Sequence, residues 1–221
     1  MDRQSWLDGT LYSPDFEQDS CGFGLIAQID DVPSHALVQN AIGSLACMTH
    51  RGAIAADGLS GDGCGLLFKK PDVFLRAAAA DAGFALGAQY AAGLVFLSRE
   101  AAPQAHARAT LKAELEGQGL DVAGFRLVPT DAKVCGASAL ESLPHIEQVF
   151  VNAPAGMSDD EFERKLFIAR RRAEKALDAN DPVFYVPTLS CRVISYKGLV
   201  MPENLPVFYP DLNDVRFASS L

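Results

Sequence analysis

The chain has 221 residues, of which 49% are hydrophobic and 21% charged, enough apolar material for an ordinary core in one domain or two small ones. A net charge of −9 and a pI near 4.9 exclude bulk nucleic-acid binding, which uses cationic surfaces. No apolar run reaches membrane-spanning length, and Met1-Asp2-Arg3-Gln4-Ser5 lacks the basic and apolar regions of a secretory signal, so no membrane partner is expected and the expected compartment is the cytoplasm.

Residues 1–20 differ in character from the rest. They carry Asp2, Asp8, Asp15, Glu17 and Asp19 against Arg3, with no apolar period. Such a leader reads as a disordered tail or as a pro-segment covering a site. After Cys21, the run Phe23–Ile29 predicts a buried strand. Asp30-Asp31-Val32-Pro33 predicts a turn, and Ser34 caps a helix whose apolar positions are Leu37, Val38, Ala41, Ile42, Leu45 and Met48, closed by Gly52. A glycine-rich loop, Ala56–Gly63, leads into a strand at Cys64–Lys69.

Pro71 opens a helix stopped at Gly83, and Tyr90–Leu97 predicts a strand. An Ala-rich helix follows over 102–116, then a short strand over Phe125–Val128. Residues 133–143 predict a loop with one helical turn, and Ile146–Val151 a strand. Ser158 caps a long helix with Phe162, Leu166, Phe167, Ala169 and Ala173 on one face. Pro182–Leu189 and Cys191–Tyr196 predict a strand pair, and Val215–Ala218 a last short strand. Strands and helices mix without strict alternation, which favours stacked sheets covered by helices over a doubly wound parallel sheet.

Five cysteines stand at 21, 47, 64, 135 and 191, with no Cys-x-x-Cys pair, so neither a zinc site nor an iron–sulfur cluster is expected from this chain alone. Cys47 and Cys191 lie in apolar runs and are expected to be small core residues. Cys21 is the candidate nucleophile, but a thiol is mostly protonated at neutral pH and needs a base. Of His35, His50, His106 and His145, only His50 adjoins the glycine-rich loop, and spacing alone leaves Cys–His catalysis and a small core cysteine equally open. His50-Arg51-Gly52-Ala53 with Gly61-Asp62-Gly63-Cys64-Gly65 reads either as helix termination and a tight hairpin, or as a loop pair around a pocket with Arg51 as a fixed cation. Arg170-Arg171-Arg172 fans around a helix, with Glu174 in reach of the first two, and reads as a solvated face with local ion pairs.

Cys21-Gly-Phe-Gly-Leu-Ile-Ala27, Met48-Thr-His-Arg-Gly-Ala53 and Asp57-Gly-x-x-Gly-Asp-Gly63 together resemble the start of the glutaminase domain of the glutamate synthase large subunit, a class II glutamine amidotransferase. Ile146-Glu-Gln-Val-Phe-Val-Asn-Ala-Pro154 and Leu166-Phe-Ile-Ala-Arg-Arg-Arg172 resemble it too, in the same order. The resemblance implies an α+β N-terminal-nucleophile hydrolase fold, a four-layer αββα sandwich incomplete at its C-terminal end. It divides the chain into a propeptide, 1–20, and the N-terminal part of an amidotransferase domain, 21–221. It implies cleavage between Ser20 and Cys21, so that Cys21 attacks the side-chain amide of L-glutamine with its own α-amino group as base. A thioester then hydrolyses to glutamate, and Arg51 matches the family arginine close to the nucleophile.

For the longer enzyme the resemblance implies ammonia delivery to 2-oxoglutarate, a small subunit as partner, and FMN, an iron–sulfur cluster and NADPH, with no cofactor in this segment. The family's oxyanion donor is an Asn-Gly pair, and none occurs here, nor does the downstream arginine for the glutamine carboxylate. The 221 residues alone are therefore expected to be largely inactive as a glutaminase. The alternatives are another class II amidotransferase, or a non-catalytic module that keeps the fold.

Overall fold

The computed structural model describes residues 22–49, 52, 54, 57–178 and 180–221. Among the described residues twelve helices and strands follow in order: α1 (His35–Cys47), β1 (Cys64–Lys69), α2 (Asp72–Asp81), β2 (Tyr90–Leu97), α3 (Ala101–Gly117), β3 (Asp121–Leu127), α4 (Ala137–Ser142), β4 (His145–Asn152), α5 (Asp159–Leu177), β5 (Leu189–Ser190), β6 (Val193–Gly198) and α6 (Leu205–Phe208).

Two antiparallel sheets organise them. One has strand order β3-β4-β2-β5, and the other pairs β1 with β6, Cys64 opposite Gly198 and Lys69 opposite Val193. In the larger sheet β2 lies against β4 along its whole length, Tyr90 opposite Asn152 and Leu97 opposite His145. These two strands are buried along nearly their whole length; β2 accordingly reads as a continuous apolar run rather than as an alternation, while β4 carries Glu147 and Gln148 among its buried residues.

Their side chains still divide by parity. Ala91, Val95 and Leu97 of β2, with Val149 and Val151 of β4, face Ala107, Leu111 and Leu115 of α3 and Phe162, Leu166, Ala169 and Ala173 of α5. Tyr90, Ala92 and Leu94, with Ile146 and Phe150, join the second cluster, which holds Phe68 of β1, Ile194 and Tyr196 of β6, and Val38, Ile42 and Leu45 of α1. One sheet face therefore packs on two helices. The other packs on a cluster that includes the second sheet.

Local chemistry explains the helix ends. The Ser34 hydroxyl accepts the Leu37 amide at the start of α1, and the Ser158 hydroxyl accepts the Glu161 amide at the start of α5. Asp159, Asp160 and Glu161 occupy the first turn of α5, where the helix dipole favours negative charge. Gly83 takes a left-handed φ of 89° just after α2.

The structure corrects several expectations. Phe23–Ile29 is not a strand: residues 22–28 take no regular structure, Gln28 donates its amide to the Ser220 carbonyl and accepts from the Asp31 amide, and Phe23 is 91% exposed. An apolar run alone does not show whether a partner strand is supplied. α1 ends at Cys47 with Met48 as C-cap, so Gly52 does not close it. Residues 189–198 form no hairpin: β5 pairs with β2 while β6 pairs with β1, and the chain switches sheets between them. Val215–Ala218 is no strand, and Ser219 instead bridges Ser34. Cys47 is exposed, whereas Cys191 is buried as expected. Where one helical turn is expected over residues 133–143, two helical segments form, a short 3₁₀ segment at Ala132–Val134 and then α4.

Candidate functional site

Cys21, His50 and Arg51, the residues on which the sequence places the chemistry, lie outside the described residues. Their described neighbours show how the site is framed. At the end of α1 the Thr49 hydroxyl lies 2.8 Å from the Ala46 carbonyl and 3.0 Å from the Glu203 carboxylate, so the helix end is tied to the Pro202–Asn204 turn. The Gly52 amide donates to the Thr49 carbonyl at 3.2 Å. Ile54 then bridges Gly61, which closes the base of the glycine-rich loop.

Inside that loop Asp57 is the organiser. Its Oδ1 accepts the Ser60 and Leu59 amides at 2.8 and 3.0 Å, and its Oδ2 accepts the Ser60 hydroxyl at 2.6 Å. Together with the Ala137 amide, these donors hold the carboxyl down at about 2, the Ser60 hydroxyl contributing most. Gly63 leaves the loop at φ 96° and enters β1; a side chain there would press on Leu199 and the Gly198 carbonyl of the paired strand. Of the two accounts of these glycines, a tight turn agrees with Gly61, which bridges Ile54, whereas Gly63 packs on β6, a strand distant in sequence, and lines the cleft beside the loop. The role of Asp57 in the turn is signalled by Asp-x-x-Ser, which favours a side chain capping its own turn.

Beside the loop a cleft of about 790 Å³ opens between β1, β6 and α4. Asp62 and Gly63 stand at one edge, and Cys64, Cys135, Ile146 and Phe208 are among its walls. Its two thiols are not poised as nucleophiles. Burial, then the nearby Glu203 carboxylate, pushes Cys64 up to about 12. Burial, then Asp131, raises Cys135 as well. Cys191, in the cluster with α3 and α5, is also pushed to about 12 by burial and by Glu163.

The described histidines serve structure. His35 Nδ1 meets the Phe217 carbonyl at 2.9 Å, and His145 Nε2 meets Glu147 at 3.1 Å, where Arg108 also binds that carboxylate. His106 is exposed on α3. Arg170 and Arg171 both engage Glu174 on α5, the local ion pairs the sequence suggests; Arg171 and Arg172 are exposed, whereas Arg170 and Glu174 are half-buried rather than fully solvated. Among the described residues no group of three or more His, Cys, Asp or Glu side chains could hold a metal, and no helix is long and apolar enough to cross a membrane.

The chain is a member of the class II glutamine amidotransferases, whose family profile matches residues 21–221. Within that class it is similar to glutamate synthase large chains. It is 40% identical over 213 residues to the glutamate synthase [NADPH] large chain of Azospirillum brasilense, covering 94% of this chain and 14% of the relative. It is 36% identical over 211 residues to the same enzyme of Bacillus subtilis, covering 95% of this chain and 14% of the relative. It is 39% identical over 206 residues to ferredoxin-dependent glutamate synthase 2 of Synechocystis, covering 92% of this chain and 13% of the relative. The chain thus spans about one seventh of the length of the relatives it matches.

Proposed function

We propose that this chain is the glutaminase part of a glutamate synthase, with Cys21 as nucleophile and Arg51 as the substrate-side cation. The observation that carries this is the family match over residues 21–221, which begins on Cys21 itself. Residues 1–20 are then a propeptide. The Cys21 thiol attacks the Ser20 carbonyl, and water cleaves the resulting thioester, freeing thiol and α-amine on one residue.

In the mature protein the amine takes the thiol proton as the sulfur attacks the glutamine amide carbon, and returns it to the departing ammonia. Water then hydrolyses the γ-glutamyl thioester to glutamate. The guanidinium of Arg51 favours the thiolate and keeps the amine neutral. The packing of one sheet on α3 and α5, and of its other face on a cluster shared with the second sheet and α1, supports the four-layer αββα sandwich.

In the longer polypeptide the ammonia passes to 2-oxoglutarate, with FMN, an iron–sulfur cluster and a nicotinamide or ferredoxin donor beyond this segment, a small subunit as partner and the cytoplasm as its place. The test is labelling of the full-length polypeptide with diazo-oxo-norleucine, a glutamine-analogue electrophile. Stoichiometric modification of Cys21, lost in Cys21→Ser, together with a mass starting at Cys21, is the expected result. Active protein with an intact Met1 terminus refutes the cleavage. Absence of labelling leaves a non-catalytic module, and glutamine turnover without 2-oxoglutarate-dependent glutamate formation in the full-length polypeptide leaves another class II amidotransferase.

A further inference from the structure

Helix α5 has two faces, and only the inner one is covered among the described residues. Phe162, Leu166, Ala169, Ala173 and Leu177 recur every three or four positions and are buried in the cluster with α3 and the larger sheet. Arg164, Ile168, Arg171 and Lys175 recur at the same spacing on the opposite side, with Phe167 and Arg172 flanking them. There Phe167 is 56% exposed, and Ile168 beside it is half-buried. Both line a shallow hollow of about 470 Å³ whose other walls include Arg171, Arg172 and Lys175.

The charge of this outer face is opposite to that of the chain. Four cations, Arg164, Arg171, Arg172 and Lys175, stand against Glu174 and Asp178, in a chain whose net charge is −9. Glu174 is already engaged by Arg170 and Arg171. Arg164, Arg172 and Lys175 make no ion pair among the described residues. The Arg170 guanidinium stands 5.6 Å from the Phe167 ring centre, and its buried Nε has no hydrogen-bond partner among the described residues.

Two exposed apolar side chains ringed by unmatched cations fit a peptide that carries an apolar residue between carboxylates. A lipid surface or a nucleic-acid backbone fits less well, because each lays down a continuous row of anions that would also meet Glu174 and Asp178.

We propose that the outer face of α5 is a docking surface for an acidic segment of the same longer polypeptide. That segment sets an apolar side chain against Phe167 and Ile168, and carboxylates against Arg164, Arg172 and Lys175. The inference rests on the reading that this chain is the glutaminase part of a longer glutamate synthase; the matched relatives are about seven times its length. A segment tethered in the same polypeptide meets the face at a higher effective concentration than a free partner does. Interfaces between domains of one chain are also more polar than obligate subunit interfaces, which suits a face with two apolar and several cationic side chains.

The experiment uses the full-length polypeptide with the photo-reactive amino acid p-benzoylphenylalanine in place of Phe167. After irradiation, peptide mass spectrometry should place the cross-link within one polypeptide, on an acidic stretch outside residues 1–221. Reversing three charges together, Arg164→Glu, Arg172→Glu and Lys175→Glu, should lower the cross-link yield by about tenfold, and added salt should lower it as well. A cross-link to residues 1–20, to a second copy or to another subunit overturns the proposal. So does the absence of any cross-link, or a yield that the charge reversals leave unchanged. Should the probe at position 167 prevent folding, the same probe in place of exposed Lys175, with the two arginine reversals, decides by the same readouts. Diazo-oxo-norleucine labelling of Cys21 in the same samples keeps the two readings apart. Labelling without the cross-link overturns the docking surface alone; the cross-link without labelling upholds the docking surface and overturns the glutaminase reading.

Discussion

Arg126 on β3 and Asp211, 85 positions later, form a buried ion pair that ties the larger sheet to the last turns of the chain. Both side chains are nearly sealed, at 10% and 6% exposure. Each makes one further local bond: Arg126 Nε donates to Gln148 Oε1 at 2.7 Å, and the Tyr196 hydroxyl donates to Asp211 Oδ2 at 2.9 Å. Arg126 also stands 5.5 Å from the Phe74 ring centre. A buried pair of this kind contributes little net stability beside an apolar replacement, but breaking it leaves a charge without water or partner. Asp211→Ala should therefore cost about 3–5 kcal/mol in urea unfolding, and Asp211→Asn less, because an acceptor remains for Tyr196. A loss under about 1 kcal/mol for the alanine variant would show that the guanidinium finds water there.

A second prediction concerns the switch between sheets. Gly93 lies in the middle of β2, and the short strand β5 crosses it with Leu189 opposite. A Cβ at 93 would overlap the Thr188 carbonyl oxygen and would meet Leu189 Cα at 2.9 Å. Backbone stands in the way, so no rotamer change relieves it. Gly93→Ala should separate β5 from β2 and cost about 1–3 kcal/mol, read by denaturant unfolding together with faster amide exchange at Ala92 and Gly93. Unchanged exchange at those amides would refute it.

How much of this was legible beforehand depends on where the information sits. β2 and α5 were readable because their signals are local: an unbroken apolar run with Tyr90 and Leu97 at its ends, and Ser158 before a periodic face. β6 was readable as a strand, but its partner was not. Nothing within Val193–Gly198 says that it joins β1, some 130 residues earlier, rather than the neighbouring β5. Phe23–Ile29 misled for the same reason, since a strand needs another edge and the sequence of one edge is silent about the other. At the proposed site, Cys21 and Arg51 stand in a family pattern and lie outside the described residues, whereas the close contact of the Asp57–Ser60 turn with Gly136 is one that only folding brings about.

The thiols supply a prediction about alkali. Cys64 and Cys191 ionise near 12 in the folded chain, mainly through burial. In the unfolded chain they ionise near 8.5. Above that value the unfolded state has already released protons that the folded state still holds, so the stabilising contribution, complete below pH of about 8.5, drains away as pH rises toward the folded value. Unfolding free energy should fall steadily across pH of about 9 to 11, and the fall should be shallower in Cys64→Ala and Cys191→Ala, compared by slope rather than absolute stability. At pH of about 8 the same two thiols hold roughly one thiolate in ten thousand, so a disulfide reagent should spare them while it modifies exposed Cys47. Rapid modification of Cys64 in folded protein would contradict its placement.

Acid acts on the other end of the scale, through Asp57. Its carboxyl is held down to about 2 by the Ser60 hydroxyl first and then by the amides of Ser60, Leu59 and Ala137. An unfolded aspartate titrates near 3.9. The depressed value means that the ionised form is preferred in the folded loop, so the contribution is fully present above about pH 4 and is lost as pH falls through about 2. The global fold has other acid-sensitive carboxyls, Asp214 among them, also held at about 2 by Arg216. Overall melting is thus the wrong reading for this group; the local amides are the right one. Exchange at the Leu59 and Ser60 amides should stay slow, relative to the intrinsic rate, from neutrality down to about pH 4 and then quicken before β2 and β4 lose protection. In Asp57→Asn, whose side chain cannot ionise, that early acid step should be missing. If the wild-type loop loses protection only together with the core strands, the carboxylate is not what holds it.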